Sequence, residues 1–254
     1  MSFDVSPDAY GRFMGRFSSP LAVELLDLLG PRRGDRALDV GCGPGALTSV
    51  LVDRLGAADV AALDPSEPFV ASLRERLPEI DVRLGSAEDL PFDDDTFDLA
   101  LAQLVVHFMR DPAAGLREMA RVTRPGGLLA ATVWDHAGGR GPLTPFWSGV
   151  ADVHPRAPNE SGLAGAREGD LVERFSAGGL ADVEAFTLTV RVDFASFEDW
   201  WEPFTFGVGP AGAYVASLDD VRRAEVRDAC ARRLPSGPFT LDASAWGARG
   251  IIAA

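Results

Sequence analysis

The chain has 254 residues, a length that supports one α/β domain with a substantial core. It is 46% hydrophobic and 24% charged, which is the balance of a globular protein. The net charge is −14 and the arginines are scattered among carboxylates, so a nucleic-acid backbone is not favoured as the main partner. The longest apolar runs have the length of strands, and we therefore expect no membrane partner.

The first residues of the chain and its two cysteines indicate the cellular compartment in which the protein is expected. Residues 1–13 lack a basic start followed by an apolar stretch, so a secretory signal is not expected. Cys42 falls inside a glycine-rich turn, where a structural disulfide with Cys230 would be awkward. We therefore expect a reducing, cytoplasmic location. No group of His and Cys has the spacing of metal ligands, so no metal is expected.

Strands and helices alternate through the first half of the chain. A first helix is expected to begin with Ser19 as its cap and Pro20 at its first position, and to end at Gly30. Apolar runs then predict strands, separated by helical patterns, at 36–40, 59–64, 81–85, 97–103 and 128–134. Because these strands are apolar on both faces, they favour a mainly parallel sheet that is covered by helices on two sides.

The pattern changes after residue 135. Residues 136–165 are rich in glycine and proline and are expected to form a loop with one short helix. A helix is expected at 167–180 and an alternating, half-exposed strand at 182–194. Residues 196–241 hold helical segments that would form a cap, and the end of the chain would supply a last strand.

A glycine turn follows the first strand, where Asp39 leads into Gly41–Gly45. Glycines let the backbone approach a ligand without a Cβ in the way, and the helix that follows offers unpaired N–H groups. Ligands in parallel α/β sheets bind beyond the carboxyl ends of the strands, which is where this turn lies. Taken alone, the turn could equally be a tight strand-to-helix connection with nothing bound.

Three further features follow the next strands. Asp64 ends the second strand, where nucleotide-binding α/β folds place a carboxylate that binds ribose hydroxyls, although it could also be a helix cap. Gly85–Phe92 follows the third strand, where an adenine edge could meet backbone N–H groups. Gln103 closes the fourth strand and should face the same crevice.

In this order and spacing, the segments LDVGCGPG, ALDPS, GSAEDLPFDDDTFDLALAQ and RVTRPGG resemble the class I S-adenosylmethionine (SAM)-dependent methyltransferases. They are most similar to the group that includes ubiquinone/menaquinone-type and other small-molecule methyltransferases. The resemblance implies a Rossmann-like methyltransferase fold with a mainly parallel seven-stranded sheet, an antiparallel last strand and a helical cap. One domain would span 1–254, with an N-terminal helical cover at 1–35, a SAM-binding core at 36–134, and a substrate-side half at 135–254 that includes a cap insertion at about 196–241.

The resemblance also implies individual roles around SAM. The methionine part would be held by Asp39, Gly41, Cys42, Gly43 and Gly45; the ribose by Asp64; the adenine by Pro65, Ser86 and Ala87; and Gln103 would lie beside the methionyl amino group or the sulfonium. Many relatives carry Asp or Asn where this chain has Ser86. Because serine reaches less far, this departure puts the adenine contact in doubt.

Methyl transfer from a sulfonium needs alignment and exclusion of water more than a fixed catalytic motif. A general base is required only for a hydroxyl or a protonated amine. His107, four residues past Gln103, and His136, just past the fifth strand, are the candidates. Each could instead be a packed structural residue.

The acceptor class is predicted from composition and from absent motifs. No motif typical of methylation of amide nitrogens or pyrimidine carbons is present, and the chain is acidic. An aromatic cluster could form part of an apolar pocket or simply the core of the cap, and it contains Phe194, Phe197, Trp200, Trp201, Phe204 and Phe206. Tyr10, Phe13 or Arg16 could reach in from the N-terminus. The sequence favours a small, apolar or aromatic acceptor and leaves a homodimer open.

The sequence leaves three other functions to consider. An NAD-type oxidoreductase is disfavoured, because the turn reads Gly41-x-Gly43-x-Gly45 rather than the G-x-G-x-x-G that suits a pyrophosphate. A non-catalytic SAM-binding or regulatory protein would carry identical binding motifs. A methyltransferase that acts on RNA or protein is the third alternative.

Overall fold

The structure is a computed structural model that describes residues 6–253. Its seven strands are Ala37–Val40 (β1), Val60–Asp64 (β2), Asp81–Leu84 (β3), Phe97–Gln103 (β4), Thr123–Trp134 (β5), Ala181–Phe194 (β6) and Phe239–Ile251 (β7). They form one sheet in the order β3-β2-β1-β4-β5-β7-β6. Strand β7 pairs antiparallel with β5 and with β6, whereas the other pairs are parallel. The predicted mainly parallel sheet with an antiparallel last strand is confirmed.

Ten α-helices surround the sheet within the described part of the chain. They are Pro7–Arg12 (α1), Gly15–Leu29 (α2), Ala46–Leu55 (α3), Glu67–Arg76 (α4), Pro112–Val122 (α5), Thr144–Val153 (α6), Asp170–Ala177 (α7), Phe197–Trp201 (α8), Gly209–Ser217 (α9) and Asp220–Ala231 (α10). Short 3₁₀ turns lie at Ala57–Asp59, Val106–Phe108 and Glu202–Phe206. Among the described residues, no helix combines the length and the apolar character that a membrane span would need.

The central strands are buried on both faces, as the sequence predicts. Every residue of β1 and β2 is buried. One core contains Leu25 of α2 and Leu51 of α3, and a second contains Met119 of α5 and Phe175 of α7. The sheet is therefore a middle layer between two helical layers, and its loops at the carboxyl ends of β1, β2 and β4 meet at one edge.

Helix α2 begins earlier than the sequence predicts. It starts at Gly15, so Pro20 lies inside the helix rather than at its first position. A proline there removes one backbone hydrogen bond. Phe17 and Leu21 lie on either side of it in sequence and are buried in the core. Burial of these apolar side chains outweighs the preference of Ser19 and Pro20 for the first positions of a helix.

The helices α8–α10 lie between β6 and β7, the two strands of the long antiparallel pair. Strand β7 begins at Phe239, before the end of the segment 196–241 in which the cap is predicted, because it pairs with Phe194 at the far end of β6. The side chain of Phe204 stacks on Phe146 with ring centroids 4.5 Å apart. Phe13 packs edge-on against the ring of Phe204, with ring centroids 4.8 Å apart. The N-terminal segment and the cap therefore share one core.

The substitution Gly149→Ala tests the close contact between α6 and α10. A Cβ at this position would lie 2.5 Å from Cys230 Sγ and 3.1 Å from its Cα. We expect a net loss of about 1 kcal/mol or more in the free energy of unfolding, although alanine favours a helix over glycine. Urea denaturation measures this loss. Gly162→Ala is the matched control, because no atom lies within 4 Å of its Cβ position. Equal stabilities for the two variants would contradict the close contact.

Candidate functional site

The glycine turn after β1 has the backbone that its sequence predicts. Gly41, Gly43 and Gly45 all have positive φ, at 72°, 54° and 90°. The N–H groups of Gly41 and Cys42 both donate to the carbonyl of Leu63, at 2.8 and 2.9 Å, which ties the turn to β2. A Cβ at Gly41 would lie 2.6 Å from the γ-methyl groups of Val105. Both the backbone angle and the space therefore require glycine there.

Two buried carboxylates lie beside the turn. Asp64 accepts hydrogen bonds from Gly43 N and Ser66 N, both at 2.8 Å, one on each carboxylate oxygen. Asp39 accepts one from the Thr48 hydroxyl at 2.6 Å. Since each carboxylate oxygen has two lone pairs, both side chains keep acceptor capacity for a ligand.

A cavity opens in front of these groups and encloses about 670 Å³, counting the part that is open to solvent. We call it the first cavity. Seven of the ten residues predicted to bind SAM line it, namely Asp39, Gly41, Cys42, Gly43, Asp64, Pro65 and Gln103. Tyr10, Phe69 and Phe108 add aromatic surface to the same space.

Gly45, Ser86 and Ala87 do not line the first cavity. A Cβ at Gly45 would lie 2.5 Å from Leu73 and 2.6 Å from the Arg76 guanidinium. Glycine at this position therefore allows α3 and α4 to pack closely. The Ser86 hydroxyl donates to the Glu88 carboxylate, and Ala87 is buried in the second core. Their contacts with a bound adenine stay predictions.

The first cavity is anionic. Among the described residues, no arginine or histidine lines it. Burial, and secondarily the nearby Asp64 carboxylate, raises the pKa of Asp39 to about 7. Burial also raises the pKa of Asp64. The Ser18 hydroxyl and the Gln103 side-chain carbonyl are buried without a hydrogen-bond partner. A ligand with positive charge and hydrogen-bonding groups would satisfy this set.

A second cavity adjoins the first and shares Tyr10, Leu104 and Phe108 with it. It encloses about 440 Å³, again counting space open to solvent. Its other lining residues come from the α1–α2 turn, the 3₁₀ turn after β4, the end of β5 and the loop that follows it, the loop after α6, and the start of α9. They are Phe13, Met14, His107, Trp134, His136, Leu143, Glu160, Val208, Gly209, Pro210 and Ala211.

Both candidate histidines lie in the second cavity, with ring centroids 5.9 Å apart. Nδ1 of His107, Nε2 of His136 and Nε1 of Trp134 are buried and have no hydrogen-bond partner in the described chain. Burial lowers the pKa of His107 well below its usual value and that of His136 to about 4. Both imidazoles are therefore neutral at pH 7 and can accept a proton.

Glu160 is the site residue that the sequence did not reveal. It is 4% exposed, and its carboxylate accepts a hydrogen bond from Trp147 Nε1 at 2.7 Å. Burial raises the pKa of this carboxyl to about 7. In sequence it stands in the segment rich in glycine and proline, where an acidic residue is ordinarily solvated. The third histidine, His154, bonds to Tyr214 and lines neither cavity.

The cap aromatics form a core rather than a cavity wall. Trp200, Trp201 and Phe204 are buried and line neither cavity. The N-terminal residues Tyr10 and Phe13 do reach in, whereas Arg16 forms an ion pair with Asp199 at 2.9 Å.

Cys42 and Cys230 are both free thiols. Within residues 6–253, no group of three His, Cys, Asp or Glu side chains is arranged to hold a metal ion.

Comparison with protein families matches residues 38–131 to a family described as a methyltransferase domain. Residues 38–131 thus match the methyltransferase domain that the sequence motifs indicate. An uncharacterized methyltransferase of Mycobacterium tuberculosis is 42% identical over 135 residues, which are 53% of this chain and 52% of that relative. A demethylmenaquinone methyltransferase of Beutenbergia cavernae is 40% identical over 104 residues, which are 41% of this chain and 42% of the relative. The match thus spans about half the length of these curated relatives, or less.

The fold likeness extends beyond the methyltransferase domain match. The crystal structure of geranyl diphosphate C-methyltransferase from Streptomyces coelicolor, in complex with Mg²⁺, geranyl diphosphate and S-adenosylhomocysteine, has a TM-score of 0.54 at 15% identity. It covers 93% of this chain and 80% of its own. At this identity the likeness shows the fold alone, and the acceptor has to be argued from the cavities themselves.

The unpartnered imidazole of His107 in the methyltransferase domain predicts a stability effect. Replacing it in His107→Phe removes a buried polar atom, so we expect the free energy of unfolding to rise by about 1 kcal/mol at pH 7.5. The gain should grow toward pH 5.5, because the unfolded wild-type chain binds a proton on His107 near pH 6.5 and the folded chain does not. Denaturation at both pH values measures it.

His154→Phe is the matched control for this stability measurement. It removes the hydrogen bond between His154 and the Tyr214 hydroxyl and should bring no gain at either pH. If His107→Phe were less stable than the wild type at both pH values, the imidazole would be a satisfied structural group.

Proposed function

We propose that the protein transfers a methyl group from SAM, bound in the first cavity, to a small, apolar or aromatic organic acceptor bound in the second. The observation that carries this proposal is the shared wall of Tyr10, Leu104 and Phe108 between an anionic cavity and a mainly apolar one. When bound, SAM supplies the methyl group on a positively charged sulfonium whose leaving group is a neutral thioether.

The residues of the first cavity fit this cofactor. SAM carries one net positive charge, which would offset the two buried carboxylates Asp39 and Asp64. Asp64 has lone pairs left for the ribose hydroxyls, and Asp39 with the Gly41–Gly45 turn would hold the methionine part. The unpartnered Gln103 carbonyl can accept a hydrogen bond from the methionyl amino group.

The chain's own contribution to the reaction is alignment, exclusion of water and acceptance of a proton. Leu104 has φ of +63°, and its N–H is held by the Thr132 carbonyl at 2.9 Å. A bulky residue in this conformation is strained, and such strain is concentrated at functional sites. Here it places the Leu104 side chain in the wall between the cavities. His107 and His136 lie in the second cavity as neutral proton acceptors.

A small acceptor is favoured over RNA or protein because the polar groups of the second cavity are buried. The name of the Beutenbergia relative, a demethylmenaquinone methyltransferase, supports the same class by analogy. A non-catalytic SAM-binding protein would bind the cofactor equally well, and only turnover with an acceptor distinguishes the two.

Cofactor binding is tested by isothermal titration of the protein with SAM and with S-adenosylhomocysteine. We expect micromolar affinity for SAM, weakened about tenfold or more in Asp64→Ala, which corresponds to about 1.4 kcal/mol. Asp94→Ala is the control, since that carboxylate is exposed and pairs with Arg121 away from the cavity. Absence of binding by either ligand would contradict the proposal.

The pH dependence of SAM binding tests the role of Asp39. Its pKa of about 7 means that a proton must leave before the carboxylate can meet a cation. We expect SAM affinity to rise by up to about tenfold between pH 6 and pH 8. S-adenosylhomocysteine, which lacks the sulfonium charge, should show a smaller rise. Asp39→Asn should abolish the dependence. A SAM affinity that is flat with pH in the wild type would exclude this role.

A further inference from the structure

Donors and acceptors in the second cavity both lack partners. The indole N–H of Trp134 can only donate a hydrogen bond, whereas a neutral imidazole nitrogen on His107 or His136 can accept one. Each of these atoms is buried, and none has a hydrogen-bond partner among the described residues. Buried polar atoms of native proteins are usually paired, and a cluster of three unpaired ones in one cavity points to a ligand that pairs them.

The start of helix α9 adds further donors to the second cavity. Gly209 and Ala211, in its first turn, line the cavity. The first N–H groups of an α-helix have no partner within the helix, and Val208 at the cap position provides no side-chain hydrogen bond. The cavity therefore offers backbone N–H groups for a second oxygen of the ligand.

This pattern distinguishes between possible acceptor groups. A hydroxyl can accept from Trp134 and donate to an imidazole at the same time. A protonated amine cannot accept, and a carboxylate or phosphate cannot donate. Moreover, among the described residues no arginine lines the second cavity, and the Glu160 carboxyl, ionised above about pH 7, would repel an anion there. Of these groups, the hydroxyl is the one that meets all the conditions.

We infer that the second cavity binds an uncharged acceptor that carries a phenolic or enolic hydroxyl together with a second oxygen such as a carbonyl, so that the protein is an O-methyltransferase. This inference rests on the proposed function and adds the acceptor class to it. The hydroxyl would lie between Trp134 and the histidine pair, and the carbonyl would face the start of α9.

The reaction balances with the groups in place. A lone pair of the hydroxyl oxygen forms the new O–CH₃ bond, and the S–CH₃ bond of SAM breaks with its electron pair left on sulfur. The hydroxyl proton passes to His107 or His136, and the products are the methyl ether and S-adenosylhomocysteine. Because the burial of both imidazoles makes them weak bases, an acidic phenol or enol suits them better than an aliphatic alcohol.

Glu160 is inferred to be a specificity-determining residue. Its hydrogen bond from Trp147 holds the carboxyl at the cavity wall. Above about pH 7 the carboxyl is ionised, and burial excludes the water that would screen its charge. The substitution Glu160→Gln keeps an oxygen for Trp147 and removes the charge. It should therefore relax the rejection of anions without changing the shape of the cavity.

The test, carried out at about pH 7.5 so that Glu160 is mostly ionised, uses three matched probes that share an acetyl group on a benzene ring: 4-hydroxyacetophenone, 4-(aminomethyl)acetophenone and 4-acetylbenzoate. Each is titrated calorimetrically into the full chain that has been saturated with S-adenosylhomocysteine. We expect the hydroxyl probe to bind about tenfold or more tightly than either of the others. His107→Phe should weaken its binding about tenfold, and His154→Phe, outside the cavity, should leave it unchanged. Glu160→Gln should improve binding of 4-acetylbenzoate at least about threefold.

The outcomes separate this inference from the proposed function. Binding of S-adenosylhomocysteine together with equal or undetectable binding of the three probes, or with a preference for the amine or the carboxylate, overturns the inference and leaves the proposed function intact. Failure of S-adenosylhomocysteine to bind overturns the proposed function and the inference with it. When SAM replaces S-adenosylhomocysteine, mass spectrometry should find the methyl group on the oxygen of 4-hydroxyacetophenone.

Discussion

The geometry of the first cavity depends on the Asp64 carboxylate. One of its oxygens accepts from Gly43 in the turn after β1, and the other accepts from Ser66 at the start of α4. The side chain thus joins two loops at the carboxyl edge of the sheet, beside the backbone bonds from the turn to Leu63. Without that link, the turn would still be tied to β2 at Gly41 and Cys42, but Gly43 would lose its hydrogen bond to the second loop. Burying a carboxylate costs free energy even when two backbone N–H groups bind it, and an apolar contact could join the two loops without that cost. A ligand that also binds the charge would account for its presence.

Both cavities hold groups that reduce the stability of the free protein. Asp39 and Asp64 are buried with no cation lining their cavity within the described chain, and the nitrogens of His107 and Trp134 lack partners. A protein selected for stability alone would replace these groups with apolar ones, which fill the rest of the core. The two sets adjoin across the wall that contains Leu104, the residue with a strained backbone. Unsatisfied charge, unpaired nitrogens and backbone strain are thus concentrated in one region, which is the pattern of a binding site.

The sequence predicts the sheet and the first cavity better than the second cavity. The sheet and the first cavity follow from local sequence patterns, whereas the second cavity depends on contacts between separate segments. The strands, the glycine turn, Asp39 and Asp64 follow from local spacing, since each stands at the end of a strand whose direction the fold imposes. Ser86 and Ala87 also follow a strand, yet the loop after β3 turns them toward Glu88 and the second core. Glu160 has no local signal at all, because its burial depends on Trp147 of a helix that packs from elsewhere. Likewise, α2 begins where its apolar side chains become buried in the core, and the capping preferences of nearby residues do not reveal that position.

The two cavities are bordered by elements that are held by different kinds of contact. Helix α1 supplies Tyr10 to both cavities, yet it buries none of its residues completely. It is tied to the cap by Arg12 and Glu202, whose side chains are 50% and 58% exposed. An exposed ion pair of this kind contributes about 0–1 kcal/mol. The glycine turn, in contrast, is held by buried backbone bonds to Leu63. By its ion pair alone, α1 is therefore held less firmly than the glycine turn at the floor of the first cavity.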